Sequence, residues 1–332
     1  MVDWAGHAGQ STEYRYRSMA ERQLRGISPS YERLCLGVAE DPAVIALLDT
    51  LPAPKRQPNL LLAAVRFLSS GSGEDGIAGP IGSYDAFRYF VLSRWDELSA
   101  TMLARRTQTN EARRCAVLMP VLGTIPGPVA LLEVGASAGL CLQPDRYAYR
   151  YDGGAVLGSS ALVLECRTSG PVPVPDRLPD VVWRAGLDLN PLDVCSDDDV
   201  RWLRSLIWPE QTDRFAVLDA AVTIARTDPA PIVRGDLLTD LASVARNAPV
   251  EATLVIYHSA VLGYLAEEQR AQFVETVRSI AASRPTVWVS NEGPGVVVDM
   301  QVPDGPVPFV LARDGEALAT ASPHGDWINW LG

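Results

Sequence analysis

The sequence predicts an α/β protein in which an all-helical segment is followed by a mostly parallel sheet, closed by an antiparallel C-terminal hairpin. Three observations carry this reading. Apolar residues recur at three- and four-residue spacings through the first part of the chain, and no strand pattern precedes residue 128. From residue 128 short apolar runs alternate with helical stretches, the texture of a parallel sheet covered by helices on both faces. Near the end, Asp314-Gly315 separates two apolar runs and signals a tight hairpin turn. With 332 residues the chain is long enough for one large domain or two ordinary ones. The boundary is expected between a helical domain, 1–125, and a sheet domain, 126–332.

In the first domain, helices are predicted over 11–25, 28–38, 41–48, 59–68, 83–98 and 110–122. Asp41 before Pro42 and Ser83 before Tyr84 supply capping side chains. Leu51-Pro52-Ala53-Pro54 and the Gly-rich stretch 71–82 interrupt the pattern. In the second domain, strands are predicted over 129–134, 181–187, 231–233, 252–257 and 286–289, with helices over 197–207, 213–225 and 267–282. Two segments break this rhythm. Residues 147–154, with Tyr147, Tyr149 and Tyr151 alternating, and 155–166 are expected to form extra antiparallel strands, inserted near 147–167. The first helix after the first strand must then be short, within 140–146.

Composition narrows the function. Hydrophobic residues make up 47% and charged residues 21%, ordinary for a packed globular chain. No apolar run approaches the roughly 20 residues that span a bilayer, and the first residues lack a basic segment followed by an apolar core. Neither a membrane nor secretion is therefore expected. Cys35, Cys115, Cys141, Cys166 and Cys195 are scattered without a Cys-x-x-Cys pair, which suggests reduced thiols in the cytoplasm and no metal site. The net charge of −11 is concentrated in the sheet domain: 1–125 holds 14 basic and 13 acidic residues, 126–332 holds 15 and 27. Such a surface repels phosphate backbones, which argues against a nucleic acid and leaves a small-molecule substrate. The single lysine, Lys55, lies outside any phosphate-binding loop motif, so a P-loop nucleotide hydrolase is excluded.

The most informative stretch is Leu131-Leu132-Glu133-Val134-Gly135-Ala136-Ser137-Ala138-Gly139-Leu140. A buried strand ends in an acid, and small residues then alternate through a tight turn where a ligand can approach the backbone. Glu-x-Gly-x-Ser-x-Gly resembles the first motif of class I S-adenosylmethionine (SAM)-dependent methyltransferases. That resemblance implies a Rossmann-like sheet and SAM as cofactor, with the N-terminal helical segment read here as a lid. Glu133, Gly135, Ser137 and Gly139 would hold its methionine moiety. Arg184-Ala185-Gly186-Leu187-Asp188 resembles the ribose-binding motif of that class, with Asp188 accepting from vicinal hydroxyls. Asp188 lies 55 residues beyond Glu133, farther than in the related dinucleotide fingerprint, and Asp152, 19 residues beyond, is the runner-up. In Val233-Arg234-Gly235-Asp236, Asp236 stands where the class places the acid that meets the adenine amino group.

Strands that deliver residues to the crevice at a sheet's carboxyl edge supply the chemistry. Tyr257 and His258 end one such strand and are the candidate catalytic pair, His258 as a general base because imidazole titrates near neutrality. Asn291 and Glu292 end the next and are candidate substrate contacts. The polar segment 105–114 offers Arg106, Gln108, Asn110 and Glu111 on the lid side, where a guanidinium would grip an anionic substrate.

Gly-x-Ser-x-Gly is also the nucleophile elbow of serine hydrolases. Chain order permits a triad of Ser137, Asp236 or Asp299, and His324. Two features oppose it: an elbow follows several strands of its sheet, whereas the preceding residues read as helix, and the usual Gly-rich oxyanion segment is absent. A SAM-binding protein without catalysis is a third reading.

The chain also resembles a bacterial family of unknown function, domain of unknown function 2332. The phrases that carry the likeness are Lys55-Arg56-Gln57-Pro58-Asn59, Arg106-Thr107-Gln108-Thr109-Asn110-Glu111, the glycine turn itself, Arg184 to Pro191, Tyr257-His258-Ser259-Ala260-Val261-Leu262 and Ser290-Asn291-Glu292-Gly293-Pro294-Gly295. This resemblance implies no particular reaction. It implies that the helical segment and the sheet serve one function.

Overall fold

The computed structural model describes residues 9–69, 81–108, 110–297, 300 and 308–332. The chain divides into two compact units: residues 6–109 with 197–216, and residues 110–196 with 217–332.

The first unit is helical. It contains α1 (Thr12–Met19), which continues as a π-turn over Ala20–Leu24, α2 (Pro29–Glu40), α3 (Pro42–Asp49), α4 (Pro58–Ser69), α5 (Tyr84–Ser93) and α6 (Trp95–Ala104). Asp41 caps α3, as its place before Pro42 predicts, accepting from the Ala43 and Val44 amides at 2.9 and 3.3 Å. The helix predicted over 83–98 is broken at Arg94, whose φ of −123° leaves the helical region. The Arg94 guanidinium instead pairs with Glu97 and reaches the Leu68 carbonyl. The helix that opens with the acidic run 197–199, α8 (Asp197–Leu206), belongs to this unit. Its Trp202 is fully buried, edge-on to Phe67 and donating its indole N–H to the Arg106 carbonyl at 3.0 Å.

The second unit holds α7 (Arg114–Leu122) and a ten-stranded sheet: β1 (Pro128–Val134), β2 (Ala148–Tyr151), β3 (Val163–Ser169), β4 (Asp180–Asp188), β5 (Ile232–Arg234), β6 (Thr253–Ser259), β7 (Thr286–Glu292), β8 (Phe309–Arg313), β9 (Glu316–Ala321) and β10 (Trp327–Trp330). The spatial order is β2-β3-β10-β9-β8-β7-β6-β1-β4-β5. Parallel pairs run through β5-β4-β1-β6-β7 and again through β10-β3-β2, and antiparallel pairs join β7-β8-β9-β10. This is an α/β architecture with a mostly parallel sheet. Among the described residues no strand precedes β1, and no helix is long and apolar enough to cross a membrane. The terminal hairpin turns at Asp314 and Gly315, both with positive φ (52° and 89°), the backbone a two-residue turn requires.

The inserted strands differ from expectation. β2 and β3 form, but they pair parallel to each other, and β3 pairs parallel with β10 at the far edge of the sheet. Residue alternation sets which face a strand buries; it carries no information on the partner, and the partner here lies over 150 residues further along the chain.

After α9 (Thr212–Thr227), two helices near the sheet, α10 (Leu241–Ala245) and α11 (Glu267–Ala281), pack with Leu132, Val134, Leu254, Ile256 and Trp288 in one apolar core. The alternate residues of the same strands, Leu131, Glu133 and Tyr257, point to the opposite face. After β1 the chain forms two short 3-10 turns, Leu140–Leu142 and Pro144–Arg146, in place of a helix. Arg184 of β4 fastens them: its guanidinium donates to the Leu142 carbonyl at 2.6 Å and forms a two-pronged pair with Asp145 at 2.9 and 2.8 Å. Both side chains are largely buried. Arg184→Ala would leave the Asp145 carboxylate and a carbonyl unpaired. Denaturant unfolding is expected to show a loss of about 2–3 kcal/mol.

Candidate functional site

The crevice is set by topology. From β1 the sheet is built one way through β4 and β5, and the chain then crosses to build β6 and β7 the other way. Ligands of open α/β sheets bind at the carboxyl edge where the order reverses, here between β1 and β6. Glu133 of β1 and Tyr257 of β6 are register partners at that point.

The glycine turn begins one residue past β1. Every second residue in it has a left-handed backbone: Gly135 (72°), Ser137 (52°) and Gly139 (72°). That alternation turns successive amides to one side, an anion-accepting arrangement. A protein carboxylate uses it: Asp188, at the end of β4, accepts from the Ser137 amide at 2.8 Å through Oδ2 and from the Asn190 amide at 2.7 Å through Oδ1. The Gly135 amide donates to the Leu187 carbonyl at 2.8 Å, and the Leu192 amide to the Ser137 carbonyl at 3.0 Å. From the other side Asn110 spans the turn, donating to the Ala136 carbonyl at 3.2 Å and accepting from the Leu140 amide at 3.0 Å. Glu111 accepts from the Arg113 amide through its side chain, and its backbone carbonyl accepts from the Cys141 thiol.

Three buried polar atoms at this edge have no hydrogen-bond partner: Glu133 Oε2, Ser137 Oγ and Asn291 Oδ1. Glu133 is 5% exposed, and burial pushes its carboxyl well above the usual carboxylate range, with Cys141 adding to the rise and Arg114 opposing it. Arg114 is buried, donating through Nε to the Pro323 carbonyl at 2.8 Å and through Nη1 to the Ser259 carbonyl at 3.0 Å. Sequence reasoning treated Arg114 only as part of a polar run. Its signal was its place at the head of a helix in which every residue is buried.

The residues expected to do chemistry are engaged elsewhere. His258 is fully buried and faces the core side of α11, edge-on to Phe273. The Trp288 indole can only donate, so its 3.0 Å bond to Nε2 makes that nitrogen the acceptor. Nδ1 then carries the hydrogen and donates to Glu292 Oε1 at 2.7 Å. The same Glu292 oxygen accepts from the Val261 and Leu262 amides at 2.8 and 3.1 Å. Neither ring nitrogen of His258 is left for a substrate proton. Tyr257 is buried, donates to the Cys141 carbonyl at 2.9 Å, and burial raises its phenol well above the usual value. Asn291 donates to Ser259 Oγ at 3.0 Å.

Asp236 lies beyond β5, half-buried, its side chain accepting from the Leu238 amide at 2.8 Å. Asp152 sits after β2, seven strands from β1 in the sheet order, whereas Asp188 ends β4, the direct neighbour of β1. The Asp152 carboxylate accepts from the Thr168 amide at 2.8 Å. Position therefore favours Asp188 over Asp152. Arg106 and Gln108 belong to the helical unit, where Arg106 is exposed. Asn110 and Glu111 belong to the sheet unit. Asp299 lies outside the described residues. Ser137 Oγ, unpartnered, makes no bond to an imidazole, so the triad geometry is not formed.

The acceptors at this edge suit a ligand rich in hydroxyl or ammonium hydrogens. The approach to the turn is closed, however: a Cβ built on Gly135 would collide with the Val261 side chain, and one on Gly139 would crowd Ile232 at 3.2 Å. The space that these glycines leave is taken by the protein's own side chains.

The fold is therefore that of an α/β protein whose mostly parallel sheet reverses its strand order between β1 and β6. Over residues 13–330 the chain matches the family described as an uncharacterized protein conserved in bacteria, DUF2332, and it belongs to that family. No curated protein matches the chain.

A carboxyl group raised by burial binds its proton more tightly in the folded state. Its contribution to stability is complete below the unfolded value, about pH 4.3, and is lost as pH rises through the folded value. Glu133→Gln removes that loss. The melting temperature of the variant relative to the parent is expected to climb as pH rises from 4.5 and to level off above the folded value; an offset independent of pH would contradict the assignment.

Proposed function

We propose that the sheet unit is a SAM-dependent methyltransferase-like enzyme acting on a small molecule. The observation that carries this reading is the pairing of the glycine turn after the central β1 with Asp188 at the end of its neighbour β4, beside the reversal point of a five-strand parallel run. In this reading Glu133 and Ser137, with their unpartnered oxygens, take the polar hydrogens of the amino-acid moiety. Asp188, a carboxylate of the kind that accepts from vicinal hydroxyls, faces the ribose, and Asp236 borders the adenine side. The cofactor, when bound, supplies an electrophilic methyl on a sulfonium. The chain's part is orientation and exclusion of water, with the acceptor aligned in the crevice. His258 and Tyr257 shape that crevice from within the sheet and do not handle the acceptor's proton, since their polar atoms are already committed.

The hydrolase alternative lacks its central contact, because no imidazole bonds Ser137 Oγ. A serine-directed phosphonate is expected to leave Ser137 unmodified.

Calorimetry of the full chain with SAM, S-adenosylhomocysteine and NADH tests the proposal. Both adenosyl compounds are expected to bind at one site and NADH not to bind. Asp188→Ala is expected to weaken binding by about tenfold or more, as the turn loses its charge-assisted clasp. No binding of either adenosyl compound would overturn the reading; binding without transfer to any acceptor would support a SAM-binding protein without catalysis.

A further inference from the structure

The loop 259–264, after β6, combines a strained backbone with three independent restraints. Ala260 has a φ of 60°, a left-handed conformation that costs a residue with a Cβ on the order of 1 kcal/mol or more. Its amide donates to the Asn291 carbonyl at 3.1 Å, holding it there. The next two amides, Val261 and Leu262, both donate to the buried Glu292 carboxylate, and that carboxylate is itself held by His258. Leu262 is fully buried in the core beneath α11, and its carbonyl accepts from Arg270 Nε at 3.1 Å. Between these anchors stands Val261, partly buried, with its methyls in the space above Gly135.

A buried ion is expensive unless paired and hydrogen-bonded, and Glu292 spends its bonds on one imidazole and two loop amides. The consequence is a fixed position for one side chain, Val261, at the mouth of the crevice between β1 and β6. Beneath it lies Gly135, the first residue of the turn that also holds Ser137, whose Oγ is buried without a partner.

We propose that Val261 is the gate and specificity-determining residue of this crevice, and that Glu292 and His258 are positioning residues that hold it closed over the glycine turn. A ligand reaches the backbone of the glycine turn at Gly135 when the 260–262 backbone releases from Glu292 and Val261 swings away. The identity of that ligand as an adenosyl compound rests on the function proposed above; the gate itself does not. Val261 then sets the size of the group that sits against Gly135.

The test uses a reporter that needs no ligand. Ser137→Cys places a thiol where the hydroxyl makes no hydrogen bond, in a Cys195→Ser background because Cys195 is the exposed one of the five cysteines. Labelling by a small thiol reagent then reports access to the turn, and amide hydrogen exchange at Val261 and Leu262 reports the loop. Val261→Ala is expected to raise the labelling rate while leaving exchange at these two amides unchanged. Glu292→Ala is expected to raise both, labelling by about tenfold or more, since two charge-assisted amide bonds are lost. Glu292→Gln keeps an acceptor oxygen and is expected to restore both close to the parent.

Equal labelling of parent and Val261→Ala would overturn the gate. So would a rise in Glu292→Ala accompanied by faster exchange throughout β1 and β6, which marks general loosening of the sheet. Should Glu292→Ala fail to fold, Val261→Ala and Glu292→Gln still decide. Calorimetry with S-adenosylhomocysteine separates the two proposals: a gate that responds as described in a protein that binds no adenosyl compound leaves the gate standing and removes the cofactor.

Discussion

The interaction on which the site depends is the clasp of Asp188 on the turn that follows β1. One carboxylate receives the amides of Ser137 and Asn190, and so ties the end of β4 to the bend after the central strand. Charge-assisted bonds of this kind contribute about 1.5–3 kcal/mol each. They stabilise a backbone that places Ser137, a residue with a Cβ, at a φ of 52°. Asn110 grips the same turn from the opposite side, and Arg184 fastens the short turns beyond it. The segment 135–146, which has no helix of its own to stiffen it, is thus held by side chains from three directions.

A second carboxylate does for β6 what Asp188 does for β1. Glu292, at the end of β7, collects the amides of Val261 and Leu262 and the Nδ1 hydrogen of His258. Two acids, from the strands that flank β1 and β6 on either side, therefore shape the two adjacent turns that follow β1 and β6. Residue types associated with proton transfer are used here for construction. The imidazole is committed at both nitrogens by a donor-only indole and a carboxylate, a geometry that fixes a neutral tautomer and keeps the ring in place.

Much of the sheet was legible in the sequence because its signals are local. The apolar run ending at Val134, the acid at 188 before a turn and the Asp-Gly bend at 314 each state their structure within a few residues. The helical character of the first part was legible for the same reason, although Arg94 breaks one helix where periodicity runs straight through. What escaped depends on distant partners. The pairing of β3 with β10 joins Arg167 to Trp327, and no local pattern records it. The membership of α8 in the helical unit rests on Trp202 and Phe67 meeting across a long stretch of chain. At the candidate site, Glu133, Gly135, Ser137 and Asp188 stand out in the sequence because strand ends and small-residue turns are recognisable. The role of His258 was not legible, because what decides it is the identity of the residue at 288, one strand away, and the face to which the ring points. Val261 carried no signal in its own residue type; only its contact with Gly135 marks it.

The central claim is that the bend gripped by Asp188 is a ligand cradle. A crystal structure of the protein grown with S-adenosylhomocysteine tests it most directly. The account predicts the nucleoside between the ends of β1 and β4, with Asp188 facing its ribose and Val261 displaced from Gly135. Density for the ligand anywhere else, or an empty crevice with Val261 still seated on Gly135 at saturating ligand, would contradict it.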